Sequence, residues 1–286
     1  MTAAETIAAP QPSGLPSTPV KVAAVQMVSA PDVARNLEEA GRRVAEAAQA
    51  GAKLVLLPEY FCFMGRRDSD KLTLRETPGD GPIQTFLAES AQRHQVWLIG
   101  GTLPLAAPEP ERVLNTTLVF GPDGNLAARY DKIHLFNFVK GEEAYDEAHT
   151  IRPGDAVSAF DTPFGRVGLS VCYDLRFPEL YRALGDCTLM VVPAAFTYTT
   201  GRAHWELLLR ARAVENQCYV LAAAQGGRHE NDRRTWGHTM LVDPWGEIVA
   251  QREDEGPGIV VGELDGERLA SVRQSLPALR HRVLGG

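Results

Sequence analysis

The amino-acid sequence predicts an α/β protein made of two similar α-β halves, packed sheet against sheet with the helices outside. Three observations carry that prediction. Short apolar runs alternate with helically spaced segments through the first hundred residues. Two Pro-x-Gly hairpins echo one another at 118–126 and 241–248, and the stretch from Phe160 repeats the strand-and-helix order of the first half.

Taken in order, residues 21–27 (KVAAVQM) read as a buried strand. Residues 32–50 follow with Val33, Leu37, Ala40, Val44 and Ala47 at helical spacing, and stop at Gly51. Residues 52–57 make a second apolar strand, 83–94 a second helix and 96–100 a third strand, with no linker between them. After the first hairpin, Lys132 opens a long loop over 133–154. The second half then runs through a turn at Pro163-Phe-Gly, a strand ending at Cys172, a helix from Pro178, a strand over 188–192, a helix over 202–217 and a strand over 219–223. Residues 258–263 add a strand and 266–275 a terminal helix. The echo suggests an internal duplication.

Composition narrows the function. With 286 residues, 44% of them hydrophobic and 23% charged, the chain can bury a sizeable core. Its net charge is −7 and its basic residues are scattered, so no nucleic acid is expected as a partner. Cys62, Cys172, Cys187 and Cys218 lack C-x-x-C spacing, and the seven histidines lack H-x-H or H-x-x-x-H spacing. Neither a metal nor a disulfide framework is predicted, and a reducing cytoplasm fits. Residues 1–18, without Lys or Arg and broken by Pro10, Pro12 and Pro16, read as a flexible tail ahead of a single domain over 19–286. No apolar run approaches the ~18 residues of a membrane span, so no membrane is expected either.

The chemistry points to Gly168-Leu-Ser-Val-Cys172-Tyr-Asp-Leu-Arg-Phe177, an apolar run that ends in a thiol and then turns polar. Such a cysteine is placed at the carboxyl end of a strand, where ligands of open α/β sheets gather. A free cysteine is also often just a buried hydrophobe. A thiol attacking an amide needs a base, a positive group for the oxyanion and an acid for the leaving nitrogen. Glu59 ends the apolar run Leu54-Val-Leu-Leu-Pro58, and Lys132 ends the strand from Leu126 to Tyr130. Either one alone could simply be a solvated loop residue.

Together, Leu57-Pro-Glu59, Tyr130-Asp-Lys-Ile-His-Leu135 and Val171-Cys-Tyr-Asp-Leu-Arg-Phe-Pro-Glu179 resemble, in order and separation, the three signature segments of the nitrilase superfamily of carbon–nitrogen hydrolases. The similarity runs from about Val20 to the C-terminus. The resemblance implies a four-layer α-β-β-α sandwich and a Glu-Lys-Cys triad carried by Glu59, Lys132 and Cys172. It also implies a second carboxylate at Glu147, with Glu142 and Glu143 as neighbours that compete for that assignment. No cofactor is implied. Ala194-Ala-Phe-Thr197, Thr200-Gly-Arg-Ala-His-Trp-Glu206, Trp236-Gly-His-Thr-Met-Leu-Val-Asp-Pro-Trp-Gly246 and Ala222-Ala-Ala-Gln-Gly-Gly-Arg-His229 are similar to the Nit branch, and within it to the members that hydrolyse deaminated glutathione.

The implied reaction is hydrolysis of a carboxamide to carboxylate and ammonia through a cysteine thioester. Deaminated glutathione is the first substrate to consider and 2-oxoglutaramate, the ω-amidase substrate, the second. A small anionic amide needs a cation in the pocket. Arg176 either takes that part or forms an ion pair with Asp174 or Glu179; Tyr173, Phe196 and Thr197 complete the expected binding set. A homodimer or larger homo-oligomer is expected. The competing readings are a cysteine–histidine hydrolase using His134, His204 or His238, and a non-catalytic binding module on the same fold. Packing accounts for Cys187 and Cys218. Cys62, in the aromatic segment after Glu59, lines the substrate mouth or plugs the core.

Overall fold

The computed structural model describes residues 18–141 and 143–284. The expected tail lies outside the described residues except for Thr18, and so does Glu142. The first half runs β1 (Val20–Gln26), α1 (Val33–Gln49), β2 (Leu54–Leu56), α2 (Pro82–His94), β3 (Trp97–Ile99), β4 (Leu103–Ala106), β5 (Val113–Phe120), β6 (Leu126–Asp131), β7 (Asn137–Lys140), β8 (Glu143–Asp146) and β9 (Ile151–Arg152). The second half runs β10 (Ala159–Thr162), β11 (Gly165–Leu169), α3 (Pro178–Ala183), β12 (Leu189–Ala194), α4 (Tyr198–Asn216), β13 (Tyr219–Ala224), β14 (Gly226–Arg228), β15 (Arg234–Trp236), β16 (Met240–Val242), β17 (Ile248–Gln251), β18 (Gly258–Leu264) and α5 (Gly266–Ser275).

Two sheets carry the fold. One is ordered β18-β1-β2-β3-β5-β4, with β6 and β9 also on β5; the other is ordered β10-β11-β12-β13-β16-β17. In each, three parallel strands are flanked by antiparallel ones, β18 beside β1 and β10 beside β11. Each also closes with an antiparallel hairpin, β5–β6 in the first and β16–β17 in the second. The two halves therefore repeat one topology, as the echoing hairpins suggested.

Side-chain alternation sets the layers. Along β1 and β2, Val22, Ala24, Leu54 and Leu56 turn to the core shared with the second sheet. Their neighbours Ala23, Val25, Val55 and Leu57 turn to a separate core with Ala40, Val44 and Ala47 of α1 and Ile83, Leu87 and Ala91 of α2. A strand buried on both faces reads as an unbroken apolar run, which is why these strands were visible in the sequence. On the other side, Trp205, Leu209 and Ala213 of α4 join the core of the second sheet. The order is helix, sheet, sheet, helix.

Several elements differ from expectation. The strand before Cys172 ends at Leu169, and residues 172–176 form a single 3-10 turn. Helix α4 starts at Tyr198 instead of Arg202, because the Thr197 hydroxyl caps it by accepting from the Thr200 N–H. The loop over 133–154 is folded into the β7–β8 hairpin and β9. Strand β4 and the β14–β15 hairpin were not foreseen, since Pro104, Gly226 and Gly227 read as breaks.

Candidate active site

The parallel strands of both sheets deliver their carboxyl ends to one place. Glu59 lies three residues beyond β2, Cys172 three beyond β11, Ala195 directly after β12 and Gln225 directly after β13. Gln225 is fully buried and stitches the halves together. Its amide nitrogen donates to the Glu59 carbonyl at 3.0 Å and to Ser29 Oγ at 2.7 Å, while its oxygen accepts from the Ser29 N–H at 3.0 Å.

Lys132 follows β6 and is 0% exposed. Its Nζ donates to Glu59 Oε1 at 2.9 Å and to Glu147 Oε1 and Oε2 at 3.1 and 2.8 Å. A buried ammonium survives only with such partners. Burial alone would depress its pKa, but Glu147 and then Glu59 outweigh that and hold Lys132 charged well above its usual range. Glu147 is held below the usual carboxylate range despite its burial, by Lys132 and by hydrogen bonds from the Phe136 N–H (2.8 Å) and the Tyr60 hydroxyl (2.8 Å).

Glu59 behaves oppositely. Burial raises its pKa, Lys132 opposes this, and the charge of Glu147 adds to the rise. Its Oε1 also accepts from Asn115 Nδ2 at 3.0 Å and its Oε2 from the Ala195 N–H at 2.9 Å, so the carboxylate is fixed from both halves. Two buried carboxylates beside one ammonium thus have their proton affinities pushed apart, which suits the pair for different tasks.

Cys172 has φ +48°, a left-handed conformation unusual for a residue with a Cβ. Asp174 holds the turn that imposes it: its carboxylate accepts from the Val171 N–H (2.8 Å), the Tyr130 hydroxyl (2.7 Å) and the His134 N–H (3.1 Å). Burial, reinforced by Glu59 and opposed by Lys132, pushes the Cys172 thiol well above the ordinary range. The sulfur rests as a thiol, and a nearby base is needed to make it a nucleophile.

Glu59, Glu147, Cys172 and Thr197 line one pocket with Tyr60, Asp68, Lys71, Phe136, Arg233 and Thr235. Arg176, Tyr173 and Phe196 are not among its lining residues. The turn after Cys172 carries Arg176 toward α4, where Nη1 lies 3.3 Å from His204 Nδ1 and the guanidinium covers the rings of Tyr173 (5.8 Å) and Phe196 (5.5 Å). Among the described residues Arg176 forms no ion pair with Asp174, which is spent on the turn, or with Glu179. Tyr173 packs on Phe136 and Phe177, and Phe196 on Trp205. None of His134, His204 and His238 lines the pocket: His134 meets Asp174 at 2.7 Å and stacks on Phe177, and His238 stacks on Trp236. Cys62 is a buried core residue, its thiol 3.7 Å from the Thr102 carbonyl oxygen and raised by burial.

Sequence reasoning missed Lys71, Asn115, Gln225 and Arg233, while Tyr60 belongs to the aromatic segment after Glu59 and does line the pocket. Asn115 left a readable trace, being an amide inside the strand Val113-Leu-Asn-Thr-Thr-Leu-Val-Phe120 where asparagine is disfavoured. No local pattern marks Lys71, in a 3-10 helix over Asp68–Thr73, or Arg233, in the turn between β14 and β15; they reach the pocket from segments far apart in sequence.

Residues 21–274 match the carbon-nitrogen hydrolase family. The chain is 44% identical over 271 residues to a deaminated glutathione amidase of Synechocystis sp., covering 93% of this chain and 98% of that protein. It is 41% identical to omega-amidase NIT2 of Homo sapiens over 93% of this chain and 95% of that one. Among solved structures, Saccharomyces cerevisiae Nit3, a member of branch 10 of the nitrilase superfamily, superposes with a TM-score of 0.83 at 34% identity, covering 93% of this chain and 97% of that one. No helix among the described residues is long and apolar enough to cross a membrane. On its family match and on these relatives, the chain belongs to the carbon–nitrogen hydrolases, the nitrilase superfamily.

Proposed function

We propose that the protein is an amidase that releases 2-oxoglutarate from its ω-amides, deaminated glutathione first, through an acyl thioester on Cys172. The observation that carries this reading is the Lys132 ammonium shared between Glu59 and Glu147 in the pocket that Cys172 enters. The substrate follows the deaminated glutathione amidases that the chain resembles; 2-oxoglutaramate, by likeness to the omega-amidases, is the second substrate.

Glu59 takes the thiol proton as sulfur bonds to the amide carbon. The carbonyl oxygen becomes an oxyanion, met by Lys132 and by a backbone N–H following Cys172. Collapse breaks the C–N bond while Glu59 returns the proton to nitrogen, releasing the cysteinylglycine amine from deaminated glutathione or ammonia from 2-oxoglutaramate. Water, deprotonated by Glu59, then cleaves the thioester and restores the thiol. Glu147 positions Lys132. Thr197 is the one residue of the expected binding set that lines the pocket.

We read the enzyme as one domain over residues 19–286, and β18 returning to pair with β1 supports that. A cytoplasmic location is supported by four free cysteines. A homo-oligomer is supported by Leu207 and Val214, exposed large apolar residues of α4. The test is 2-oxoglutarate release from deaminated glutathione by wild type and Cys172→Ser, with intact-mass spectrometry during turnover. The reading requires an acyl adduct on Cys172 and loss of turnover in the serine variant. Full activity of Cys172→Ser, or an adduct on Cys62, would refute it.

A further inference from the structure

An anionic amide approaching this centre meets two carboxylates that share a single ammonium. A counter-charge for its own carboxylate must come from elsewhere in the pocket. Three cations line it, Lys71, Arg233 and Arg234, while the buried Lys132 lies behind the lining carboxylates Glu59 and Glu147. Arg233 is committed to Asp68 at 2.6 Å, and Arg234 pairs with Glu255 and lies over the Tyr198 ring. Lys132 is held by the two glutamates. Among the described lining residues, Lys71 is the one cation with no carboxylate at ion-pair distance.

What Lys71 does contact is neutral. Its Nζ donates to Thr150 Oγ1 at 3.2 Å and lies 5.7 Å from the centre of the Tyr60 ring. Burial lowers its pKa, Asp68 and Glu147 partly oppose this, and Arg233 and Lys132 add to the fall. A partly buried ammonium beside a hydroxyl and an aromatic face, with no carboxylate at ion-pair distance, is short of negative charge, and binding a carboxylate supplies it. Tyr60 also fixes the spacing. Its ring lies beside Lys71 while its hydroxyl donates to Glu147, so Lys71 sits one tyrosine side chain away from the triad. A 2-oxoglutaryl amide likewise separates its carboxylate from the reacting carbonyl, by three carbons.

We propose that Lys71 is the specificity-determining residue that receives the carboxylate of the acyl portion, making the enzyme selective for monoamides of dicarboxylic acids. This rests on the amidase reading above. It assigns to Lys71 the part that the sequence suggested for Arg176, and it applies equally to deaminated glutathione and 2-oxoglutaramate, whose acyl portions are the same.

The test compares 2-oxoglutaramate with 4-oxopentanamide, which replaces the carboxylate by a methyl group, in wild type, Lys71→Met and Lys71→Arg. For 2-oxoglutaramate, kcat/KM should fall about 10- to 100-fold in Lys71→Met, the range for a lost charge-assisted hydrogen bond, mostly through KM. The loss on 4-oxopentanamide should be at least tenfold smaller, and Lys71→Arg should recover part of the preference. Equal losses on both amides would make Lys71 structural, and an undiminished preference would place the carboxylate elsewhere; either overturns the proposal. If wild type hydrolyses only the neutral amide, amide hydrolysis at this site stands, but 2-oxoglutaramate as substrate and the Lys71 assignment fall together. If it hydrolyses neither, calorimetric binding of 2-oxoglutaramate decides: binding abolished by Lys71→Met keeps the subsite without the activity, and no binding removes both.

Discussion

Lys132 is fully buried and donates three hydrogen bonds to two carboxylates, so both its charge and its shape are fitted to the site. Lys132→Arg keeps the charge, but the larger planar guanidinium does not fit between Glu59 and Glu147. It should lower kcat about 10²- to 10³-fold, the usual loss for one oxyanion donor; steady-state kinetics with near-normal kcat and KM would make the residue peripheral. Glu147→Gln tests the electrostatics more finely. In the proposed mechanism Glu59 acts as a carboxylate; burial chiefly, and Glu147 in part, raise its pKa, so activity should be lost as pH falls through that raised value. Removing the Glu147 charge lowers it, so the acid limb of the kcat/KM profile should move to lower pH even as the rate drops. An unmoved limb, or one moved upward, would show that another group controls it. At this scale the sequence made Glu59, Lys132, Cys172 and Glu147 legible, because each lies in a local run resembling a family segment. Lys71 was not legible, because its significance lies in the absence of a carboxylate beside it, which only three dimensions reveal.

The turn over residues 172–176 is the element on which the thiol depends. Asp174 is 0% exposed and accepts from the buried Val171 N–H and Tyr130 hydroxyl and from the part-buried His134 N–H, while Arg212 Nε and Nη2 cap the turn at the Leu175 carbonyl oxygen (3.0 and 2.8 Å). Asp174→Ala should destabilise the protein by several kcal/mol, since each orphaned buried group costs about 1–3 kcal/mol. It should also release Cys172 from its left-handed φ, so that melting temperature and kcat fall together; a variant with normal melting and full activity would contradict this. Gly101 acts on the partner strand end. Its φ is +48° and a Cβ there would overlap the Pro58 carbonyl oxygen, next to Glu59, so Gly101→Ala should displace the base and lower kcat, as measured by 2-oxoglutarate release. Strands and helices with continuous apolar faces were read from the sequence to within a few residues. The β7–β8 and β14–β15 hairpins were not, because their residues are polar or glycine-rich and become strands only by pairing with each other.

In the whole molecule the two α-β halves are not independent, since the last strand of the chain, β18, completes the first sheet along the full length of β1, from Val20 opposite Leu264 to Gln26 opposite Gly258. Ending the chain after Pro257 would bare that edge and uncover Val22 to Val25, which are 0% exposed. Such a truncation should be recovered in the insoluble fraction, and a soluble, cooperatively melting product would show the edge to be dispensable. The two-halved layout, sheet against sheet, was legible from the repeated hairpins and the repeated strand-and-helix order. The return of β18 to β1 was not, because an isolated apolar strand does not specify its neighbour. That pairing also governs how the chain can fold while it is being made. The two strands are separated by most of the sequence, and at about 5–20 residues per second β1 waits roughly 10–50 s on the ribosome for its partner. The first half cannot close its sheet as it emerges, so the nascent protein carries an open apolar edge until β18 follows, and chaperones that shield strand edges should bind it throughout that interval.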